Sequence, residues 1–452
     1  MKKKQAARML IAGTGSGCGK TTVVCAILQT LKNRGHDVAS FKCGPDYIDP
    51  MFHGEIIGAE CTNLDLYFAG EALTRGLFLK HAAQLNLIEG VMGYYDGLSM
   101  EAADSSSWHM AGALSAPAIL VVNARGMALS AAAVVKGFQA MKTPSGVAGV
   151  ILNQVSGMSY PQLKAVIERE CGVHVYGYMP VNKAFNLESR HLGLVTAQEV
   201  ADLKEKMQAL AEQAETSIEL DALIALMQAQ PEMEAEIPQE ESIADVRIAV
   251  AKDKAFCFYY RDNLELLEEL GATIIPFSPL EDEKLPVCDG LYLGGGYPEL
   301  YAGQLSQNVS MRQSVREAVK SGLPTIAECG GFMYLTGKID GQPMAGVIHT
   351  ECRDMKKLVR FGYAQFSAKE DSLLLGQRET IRGHEFHHWD AELPGDTWAA
   401  RKPTGRTWPC AYASDTLYAG YPHLYFMSNT NAAKRFILKC RERKMRHETH
   451  GD

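Results

Sequence analysis

The sequence has no excess of basic residues, no C-x-x-C pair and no long apolar run. Its 45 Lys and Arg against 53 Asp and Glu give a formal charge of −8, which argues against a nucleic-acid-binding protein. Its eleven cysteines, an odd number without zinc-ligand spacing, fit neither a disulfide framework nor a zinc site and indicate a reducing compartment. A membrane span needs about 18 consecutive apolar residues, and no run approaches this length. We therefore expect a cytoplasmic protein with neither membrane nor nucleic-acid partners.

The basic start of the chain, residues 1–8, precedes a short apolar strand rather than a signal-peptide core. A length of 452 residues predicts two to three domains, and we find no internal repeat. Because the overall charge repels anions, an anionic substrate requires a local cluster of basic residues.

A glycine-rich stretch at residues 13–22 follows an apolar run and precedes a segment with helical periodicity. A strand, a glycine-rich loop and a helix in this order bind phosphate through backbone N–H groups. Lys20 is expected to neutralise phosphate charge and Thr21 to ligate Mg²⁺. Thr14 stands where the common P-loop has a glycine, with Gly13 one place earlier. The predicted nucleotide-binding residues are Gly13, Thr14, Gly15, Ser16, Gly17, Gly19, Lys20, Thr21 and Thr22.

Apolar runs that read as strands alternate with helical segments through the rest of the first half. The helix expected first spans residues 23–34, and the strands that follow it are expected at residues 38–43, 85–91, 118–122, 147–152 and 173–178. This alternation predicts a parallel α/β sheet covered by helices, with ligands beyond the carboxyl ends of its strands.

Two acidic residues fall at those strand ends. Asp46 follows the strand expected at residues 38–43, and Glu89 lies late in the strand expected at residues 85–91. A carboxylate among apolar residues of a strand costs several kcal/mol unless it is paired or metal-bound. Asp46 also fits a plain turn residue after proline. Together with Thr21 they are the predicted Mg²⁺ ligands.

Positive and aromatic residues on nearby loops are candidates for binding an acidic substrate. The loops at residues 94–97 and 188–194 also fit plain surface loops. The predicted substrate-binding residues are Lys42, Tyr47, Tyr94, Asp96, Arg190 and His191.

Composition separates the two halves of the chain. Residues 196–227 have helical periodicity, and residues 228–245 are rich in Glu, Gln and Pro, which predicts a linker or a solvated arm. The predicted domains are residues 1–196 and 246–452, with residues 197–245 between them.

In the second half, an expected strand at residues 324–327 runs into Glu-Cys-Gly-Gly, with Cys329 at the turn. A cysteine on a sharp strand-to-helix turn is typical of a nucleophile elbow, where we expect the helix N-terminus to lower the thiol pKa. His423 is the candidate base. Cys18 and Cys43 are interpreted as small loop residues without a chemical role. The segment 383–388 is rich in histidine, but strand alternation places His384 and His387 on opposite faces, which disfavours a metal site.

These segments together resemble the a,c-diamide synthases of corrinoid biosynthesis, nearly from end to end. The resemblance rests on the loop of dethiobiotin-synthetase type, on the class I glutaminase segments around Cys329 and His423, and on four further stretches, residues 42–50, 89–97, 190–194 and 383–387. It implies a P-loop synthetase domain followed by a class I glutaminase-like, flavodoxin-like α/β domain.

The resemblance implies an enzyme of cobalamin biosynthesis, a ligase that amidates two acetate carboxylates of cobyrinic acid or a related tetrapyrrole. Glutamine would supply ammonia through Cys329 and His423, with an oxyanion held by the amides of Gly295, Gly296 and Gly330. ATP with Mg²⁺ would activate the carboxylate as an acyl phosphate. A homodimer is left open.

One position departs from the glutaminase pattern, because Tyr425 stands where a glutamate commonly orients the histidine. Three alternatives share many of these motifs: nickel-sirohydrochlorin a,c-diamide synthase, a P-loop switch ATPase with a vestigial glutaminase domain, and a cysteine hydrolase regulated by nucleotide. Cobyric acid synthase fits less well because of segments 190–194 and 383–387.

Overall fold

The computed structural model describes residues 2–182, 185 and 203–450. The chain forms two compact units, Met1–Pro238 and Gln239–Asp452. Among the described residues, no helix combines the length and the apolar character that a bilayer crossing requires. All eleven cysteines fall within the described ranges and are free thiols.

A parallel sheet forms the centre of the first unit. The described strands of this unit are β1 (Lys2–Lys4), β2 (Ala7–Gly13), β3 (Val38–Cys43), β4 (Cys61–Leu64), β5 (Leu85–Glu89), β6 (Ala118–Asn123), β7 (Val147–Asn153), β8 (His174–Met179) and β9 (Met233–Ala235), of which β1 and β9 form a separate two-stranded sheet. Seven of them pair in parallel in the order β4-β3-β5-β2-β6-β7-β8. The central strand β2 is buried at every position, because helices cover both faces of such a sheet. The predicted parallel α/β sheet is confirmed.

Helices connect these strands. In the described part of the unit they are α1 (Lys20–Asn33), α2 (Ile48–Met51), α3 (Leu66–His81), α4 (Ser107–Ala113), α5 (Ser130–Ala140), α6 (Tyr160–Cys171), α7 (Leu203–Ser217) and α8 (Leu220–Gln228), with a π-helical turn at Phe52–Ile56. The buried side chains of α1, α7 and α8 join one core cluster with those of β2 and β5.

The stretch that composition marks as a linker is partly folded onto the first unit. Strand β9 pairs antiparallel with β1, so this part of residues 228–245 is not a solvated arm. The buried guanidinium of Arg8 donates to the Pro231 carbonyl over 3.0 Å and to the Leu114 carbonyl over 2.6 Å. Backbone pairing, which composition does not report, therefore holds this segment.

The second unit also has a mainly parallel sheet. Its described strands are β10 (Val246–Ala251), β11 (Phe256–Phe258), β12 (Ala272–Phe277), β13 (Gly290–Leu293), β14 (Gly295–Gly296), β15 (Thr325–Glu328), β16 (Thr336–Ile339), β17 (Gln342–Pro343), β18 (Ile348–Asp354), β19 (Arg360–Ala368), β20 (Thr380–His387), β21 (Trp389–Ala391), β22 (Trp398–Arg401), β23 (Thr407–Cys410), β24 (Tyr412–Ala413), β25 (Leu417–Gly420) and β26 (His423–Leu424). The main sheet has the order β12-β10-β13-β15-β25-β24, in which β24 is antiparallel.

Two further sheets and several helices complete this unit. The strand orders β23-β22-β19-β20-β26 and β17-β16-β18-β21 define the two larger additional sheets, and β11 pairs with β14. The helices in its described part are α9 (Arg261–Glu269), α10 (Ala302–Gln307), α11 (Val309–Lys320), α12 (Gly330–Leu335) and α13 (Thr430–His450), with a 3-10 turn at Phe426–Ser428. Strand β15, which precedes Cys329, lies between β13 and β25 at the centre of the main sheet.

Candidate active sites

The glycine-rich loop connects β2 to α1, as predicted. Gly17 and Gly19 have φ values of 73° and 96°, in the left-handed region where a Cβ is strained. A Cβ on Gly19 would also overlap the side-chain amide of Asn153, whose Nδ2 donates to the Cys18 carbonyl over 2.9 Å. A Cβ on Gly15 or Gly17 would meet no protein atom within 4 Å. The loop is therefore anchored on one side by β7 and open on the other.

Lys20 and Thr21 reach the carboxyl end of β5. Lys20 Nζ donates to the Met92 carbonyl over 2.6 Å, and the Thr21 hydroxyl donates to Glu89 Oε1 over 2.7 Å. Burial lowers the pKa of Lys20, although the nearby Glu89 acts in the opposite direction. The structure thus brings together the predicted phosphate and metal residues of α1 and β5.

Lys42 lies among three carboxylates at the same sheet edge. Its Nζ is 2.5 Å from Asp49 Oδ2, 3.3 Å from Glu89 Oε1 and 3.8 Å from Asp46 Oδ2. Burial opposes the charged form of Lys42, but these carboxylates hold its pKa well above the usual range. Burial alone would raise the pKa of Glu89, yet Lys42 and His53 hold it well below its ordinary value. Glu89 is therefore an ionised carboxylate in a fully buried position.

Asp49 and His53 are members of this cluster to which the sequence assigns no role. Burial and the adjacent Glu89 raise the pKa of Asp49 to about 7. His53 is fully buried, with Nε2 3.3 Å from Glu89 Oε2 and Nδ1 2.8 Å from the Ser40 hydroxyl oxygen. Proline after Asp49 predicts a turn, but no spacing in the sequence relates His53 to Glu89.

The remaining predicted residues of the first unit are placed differently. Tyr94 is fully buried and its hydroxyl donates to the Ser145 carbonyl over 2.7 Å, so the structure shows it packed in the core, and its substrate contact stays a prediction. Asp96 is exposed and accepts from the Gly93 N–H over 2.7 Å. Tyr47 is largely buried beside Asp46, which caps the turn that follows it.

Predicted residues at the rim of the loop have fewer contacts. The Thr14 N–H donates to the Val121 carbonyl over 3.3 Å, Ser16 is exposed and Thr22 is half-buried. Arg190 and His191 lie outside the described residues.

Cys329 occupies a strained turn between β15 and α12. Its φ of 48° and ψ of −101° are rare for a residue with a side chain and cost on the order of 1–3 kcal/mol. A Cβ on Gly330 would lie 2.9 Å from Pro298 Cδ, and one on Gly331 would overlap the Leu293 carbonyl. The turn therefore needs small residues after the cysteine, which is the geometry of a nucleophile elbow.

The thiol pKa of Cys329 is raised rather than lowered. Burial raises it above the ordinary value, and the N–H of Gly330 only partly opposes this effect. The expectation that a helix N-terminus lowers this pKa is wrong, because the effect of burial on the thiol is larger than that of the Gly330 N–H. A base must accordingly take the thiol proton when the cysteine reacts.

The three glycines predicted as oxyanion donors lie around this turn. Gly296 N is 3.0 Å from the position of a Cβ on Gly330, and Gly296 has a φ of 154° that suits glycine. A Cβ on Gly295 would overlap Cε1 of the His423 ring. The loop of β14 therefore contacts both the cysteine turn and the histidine.

His423, the predicted base, is buried and neutral. Burial lowers its pKa to about 3, so the imidazole is uncharged at neutral pH and able to accept a proton. Its ring stacks on that of His384, with centroids 4.8 Å apart and planes at 14°, and the two residues are paired across β20 and β26. Nδ1 of His384 lies 2.9 Å from the Tyr260 hydroxyl.

The histidine-rich segment beside His423 is engaged by protein groups. His387 stacks on Tyr421 at 3.9 Å and its Nε2 lies 3.4 Å from Glu385 Oε2. Glu385 also accepts from Trp408 Nε1 over 3.2 Å and lies 3.4 Å from Arg360 Nε. His384 and His387 thus have different partners, on the two faces that strand alternation predicts.

Family models match both halves of the chain. Residues 9–195 match the CobQ/CobB/MinD/ParA nucleotide binding domain, and residues 247–431 match the CobB/CobQ-like glutamine amidotransferase domain. Together with the two folds, these matches define a class, the glutamine-hydrolysing carbon–nitrogen ligases with a P-loop nucleotide-binding domain.

Curated relatives match over almost the whole length. The cobyrinate a,c-diamide synthase of Caldanaerobacter subterraneus subsp. tengcongensis is 40% identical over 446 residues, covering 95% of this chain and 98% of the relative. The proteins of that name from Listeria monocytogenes serotype 4b and Priestia megaterium are 40% and 37% identical, covering 93% and 97% of this chain and 97% and 98% of their own lengths. The chain belongs to the cobyrinate a,c-diamide synthase family.

Replacing Gly295 by alanine is expected to slow glutamine hydrolysis by about 10²-fold, because the new Cβ would displace the His423 imidazole. Glutamate release measures this rate, and amidation supported by added ammonia should not change. Gly303→Ala is the matched control, since its Cβ would meet no atom within 4 Å. Normal glutamine hydrolysis in the Gly295→Ala protein would contradict the placement of His423.

Proposed function

We propose that this protein uses ATP and glutamine to amidate the a and c acetate carboxylates of cobyrinic acid in the cytoplasm. The observation that supports it most is the presence, in one chain, of the Lys20, Thr21 and Glu89 group and of the Cys329 elbow with His423. The names of the curated relatives support cobyrinic acid as the substrate.

The second unit would release ammonia from glutamine. His423 takes the Cys329 proton as Sγ bonds to the amide carbon, and the amides of Gly295, Gly296 and Gly330 stabilise the resulting oxyanion. His423 then returns the proton to the leaving nitrogen, which departs as ammonia. Water hydrolyses the thioester to glutamate and restores the thiol. The neutral state of His423 suits the first of these steps.

The first unit would activate the carboxylate. A substrate carboxylate oxygen bonds to the γ-phosphorus of ATP as the bond to ADP breaks, which gives an acyl phosphate. Ammonia attacks its carbonyl carbon, and the phosphate leaves with the original carboxylate oxygen. Backbone N–H groups of residues 13–19 would bind the phosphates, and Lys20 would neutralise charge on the transferred group.

The donors at this sheet edge fit Mg²⁺, a hard cation that prefers oxygen ligands. Thr21 Oγ1 and Glu89 Oε1 are 2.7 Å apart, and Asp46 approaches Lys42 at the same edge. Thr21, Glu89 and Asp46 would hold the ion, which supplies charge neutralisation at the phosphates. Lys42, Arg190 and His191 would bind substrate carboxylates, and Tyr47 and Asp96 would contact other parts of the substrate.

A turnover assay on cobyrinic acid with ATP and glutamine tests this proposal. Mass spectrometry should show two successive replacements of a hydroxyl by an amino group, each accompanied by ADP and glutamate. Nickel-sirohydrochlorin is the comparison substrate and should be amidated poorly. Turnover of nickel-sirohydrochlorin with no reaction of cobyrinic acid would contradict the assignment. The oligomeric state, which the sequence leaves open, is measured separately by light scattering of the purified protein.

A further inference from the structure

Glu328 connects the two strands that carry the proposed catalytic pair. It is 2% exposed and directly precedes Cys329 at the end of β15. Its Oε1 accepts from the N–H of Leu424 over 2.9 Å, and its Oε2 accepts from the Tyr292 hydroxyl over 2.9 Å. Leu424 directly follows His423. The Glu328 side chain therefore links the residue before Cys329 to the residue after His423.

The contact from Glu328 to Leu424 is made in addition to the backbone pairing of the main sheet. The Cys329 N–H donates to the Gly420 carbonyl over 2.7 Å, where β15 lies beside β25. The chain then turns through Tyr421 before reaching His423, and the Glu328 carboxyl spans this turn. The position of His423 relative to the cysteine turn therefore depends on a side chain as well as on backbone pairing.

The residue that commonly orients the histidine is replaced in this chain. Tyr425 occupies that place, and its hydroxyl donates to Asp262 Oδ2 over 2.7 Å, so it engages α9. Asn263 of the same helix holds the strand as well, donating to the Leu424 carbonyl and accepting from the Phe426 N–H, both over 2.8 Å. The His423 strand is thus fixed through its backbone from two sides, by α9 and by Glu328.

A buried carboxyl group is unfavourable at a position that only needs packing. Burial raises the pKa of Glu328 to about 8, so the side chain is largely protonated at neutral pH and adds little negative charge beside the thiol. A leucine would fill similar space but would leave the Leu424 N–H without this acceptor. The hydrogen-bonding geometry is therefore the property that distinguishes this side chain from an apolar one.

We propose that Glu328 is a positioning residue of the glutaminase site, which sets the separation of Cys329 and His423 by tying their strands together. It acts through the backbone of Leu424 rather than on the imidazole itself. This inference rests on the proposed roles of Cys329 and His423 in glutamine hydrolysis.

The test compares Glu328→Ala with Glu328→Gln in the full-length chain. Glutamine retains an acceptor for the Leu424 N–H and can donate to the Tyr292 hydroxyl oxygen, whereas alanine removes both contacts. We expect Glu328→Ala to lower kcat for glutamine hydrolysis by about 10²-fold, with the KM for glutamine changed less than about twofold. Glu328→Gln should restore kcat to within several-fold of the native value.

Two further readouts separate positioning from general damage. Ammonia-dependent amidation should be unchanged in Glu328→Ala, and alkylation of the Cys329 peptide by iodoacetamide, followed by mass spectrometry, should become slower. Tyr292→Phe, which leaves the bond to Leu424 intact, should behave like the native protein and keeps the proposal testable if the alanine variant does not fold. Native kcat in Glu328→Ala, or equal loss in the Gln and Ala variants, would overturn the proposal.

Failure of the proposed function gives a different result. If Cys329→Ala still hydrolyses glutamine, the nucleophile is misassigned, whatever the Glu328 variants do. If Cys329→Ala is inactive while Glu328→Ala retains native kcat, the function stands and the positioning role of Glu328 falls.

Discussion

Cys329→Ala is expected to abolish glutamine-dependent amidation, by at least about 10³-fold, while ammonia-dependent amidation continues at the native rate. In the proposed mechanism the Cys329 Sγ bonds to the glutamine amide carbon, and an alanine has no atom that could form this bond. In the proposed function the first unit binds ATP and the carboxylate with its own residues, so added ammonia should bypass the loss. The measurement is amide formation from each nitrogen source at saturating ATP.

Cys440→Ala is the matched control, because Cys440 is also buried in the same unit but lies on α13 against Gly290. It should keep both activities. Equal loss of the two activities in the Cys329→Ala protein would contradict the assignment of this cysteine to ammonia supply.

Lys20→Ala and Glu89→Gln are expected to lower amidation by about 10²- to 10³-fold with either nitrogen source, because both act on carboxylate activation. Lys20 would neutralise developing charge on the transferred phosphoryl group. Glu89 accepts a hydrogen bond from the Thr21 hydroxyl and contacts Lys42 and His53. Its negative charge therefore holds these three side chains in place. Glutamine hydrolysis without ATP measures whether the second unit remains intact, and it should be unaffected.

Lys32→Ala, in the last turn of the same helix as Lys20, is the matched control and should retain both reactions. Ammonia-dependent turnover at the native rate in the Lys20→Ala or Glu89→Gln protein would rule out the proposed nucleotide and metal site.

The sheet of the first unit could be predicted closely because parallel strands are buried on both faces and read as unbroken apolar runs. The strand expected at residues 38–43 is β3, Val38–Cys43, and the strand expected at 118–122 is β6, Ala118–Asn123. The antiparallel sheets of the second unit were not foreseen. Their strands pair across long sequence separations, as in the pairing of β20 with β26, and no local pattern encodes this pairing.

Part of the candidate site could be predicted for a topological reason. Thr21 and Glu89 meet because the start of α1 and the end of β5 share one edge of a parallel sheet. Asp49 and His53 reach the same cluster through the folding of a short helix and a π-helical turn, and their sequence spacing does not indicate it. The sequence therefore indicates which residues reach the site when they lie at strand ends, and indicates it much less well when they lie within irregular connections.

Burial explains why individual residues lie in surroundings that the sequence does not predict. A cysteine at a helix start suggests a lowered thiol pKa, yet the surroundings of Cys329 exclude water and raise it. Tyr94 follows β5 in sequence, and its side chain lies in the core, where its hydroxyl donates to the Ser145 carbonyl. Solvent exposure depends on packing from distant parts of the chain, which a single sequence does not report.

Double isotope labelling tests the coupling of the two reactions most directly. Cobyrinic acid with ¹⁸O in its carboxylates would be incubated with ATP and glutamine carrying ¹⁵N in its amide, and both products examined by mass spectrometry. We expect ¹⁵N in both new amides and one ¹⁸O in each phosphate released. Diamide without ¹⁵N, or phosphate without ¹⁸O, would contradict it.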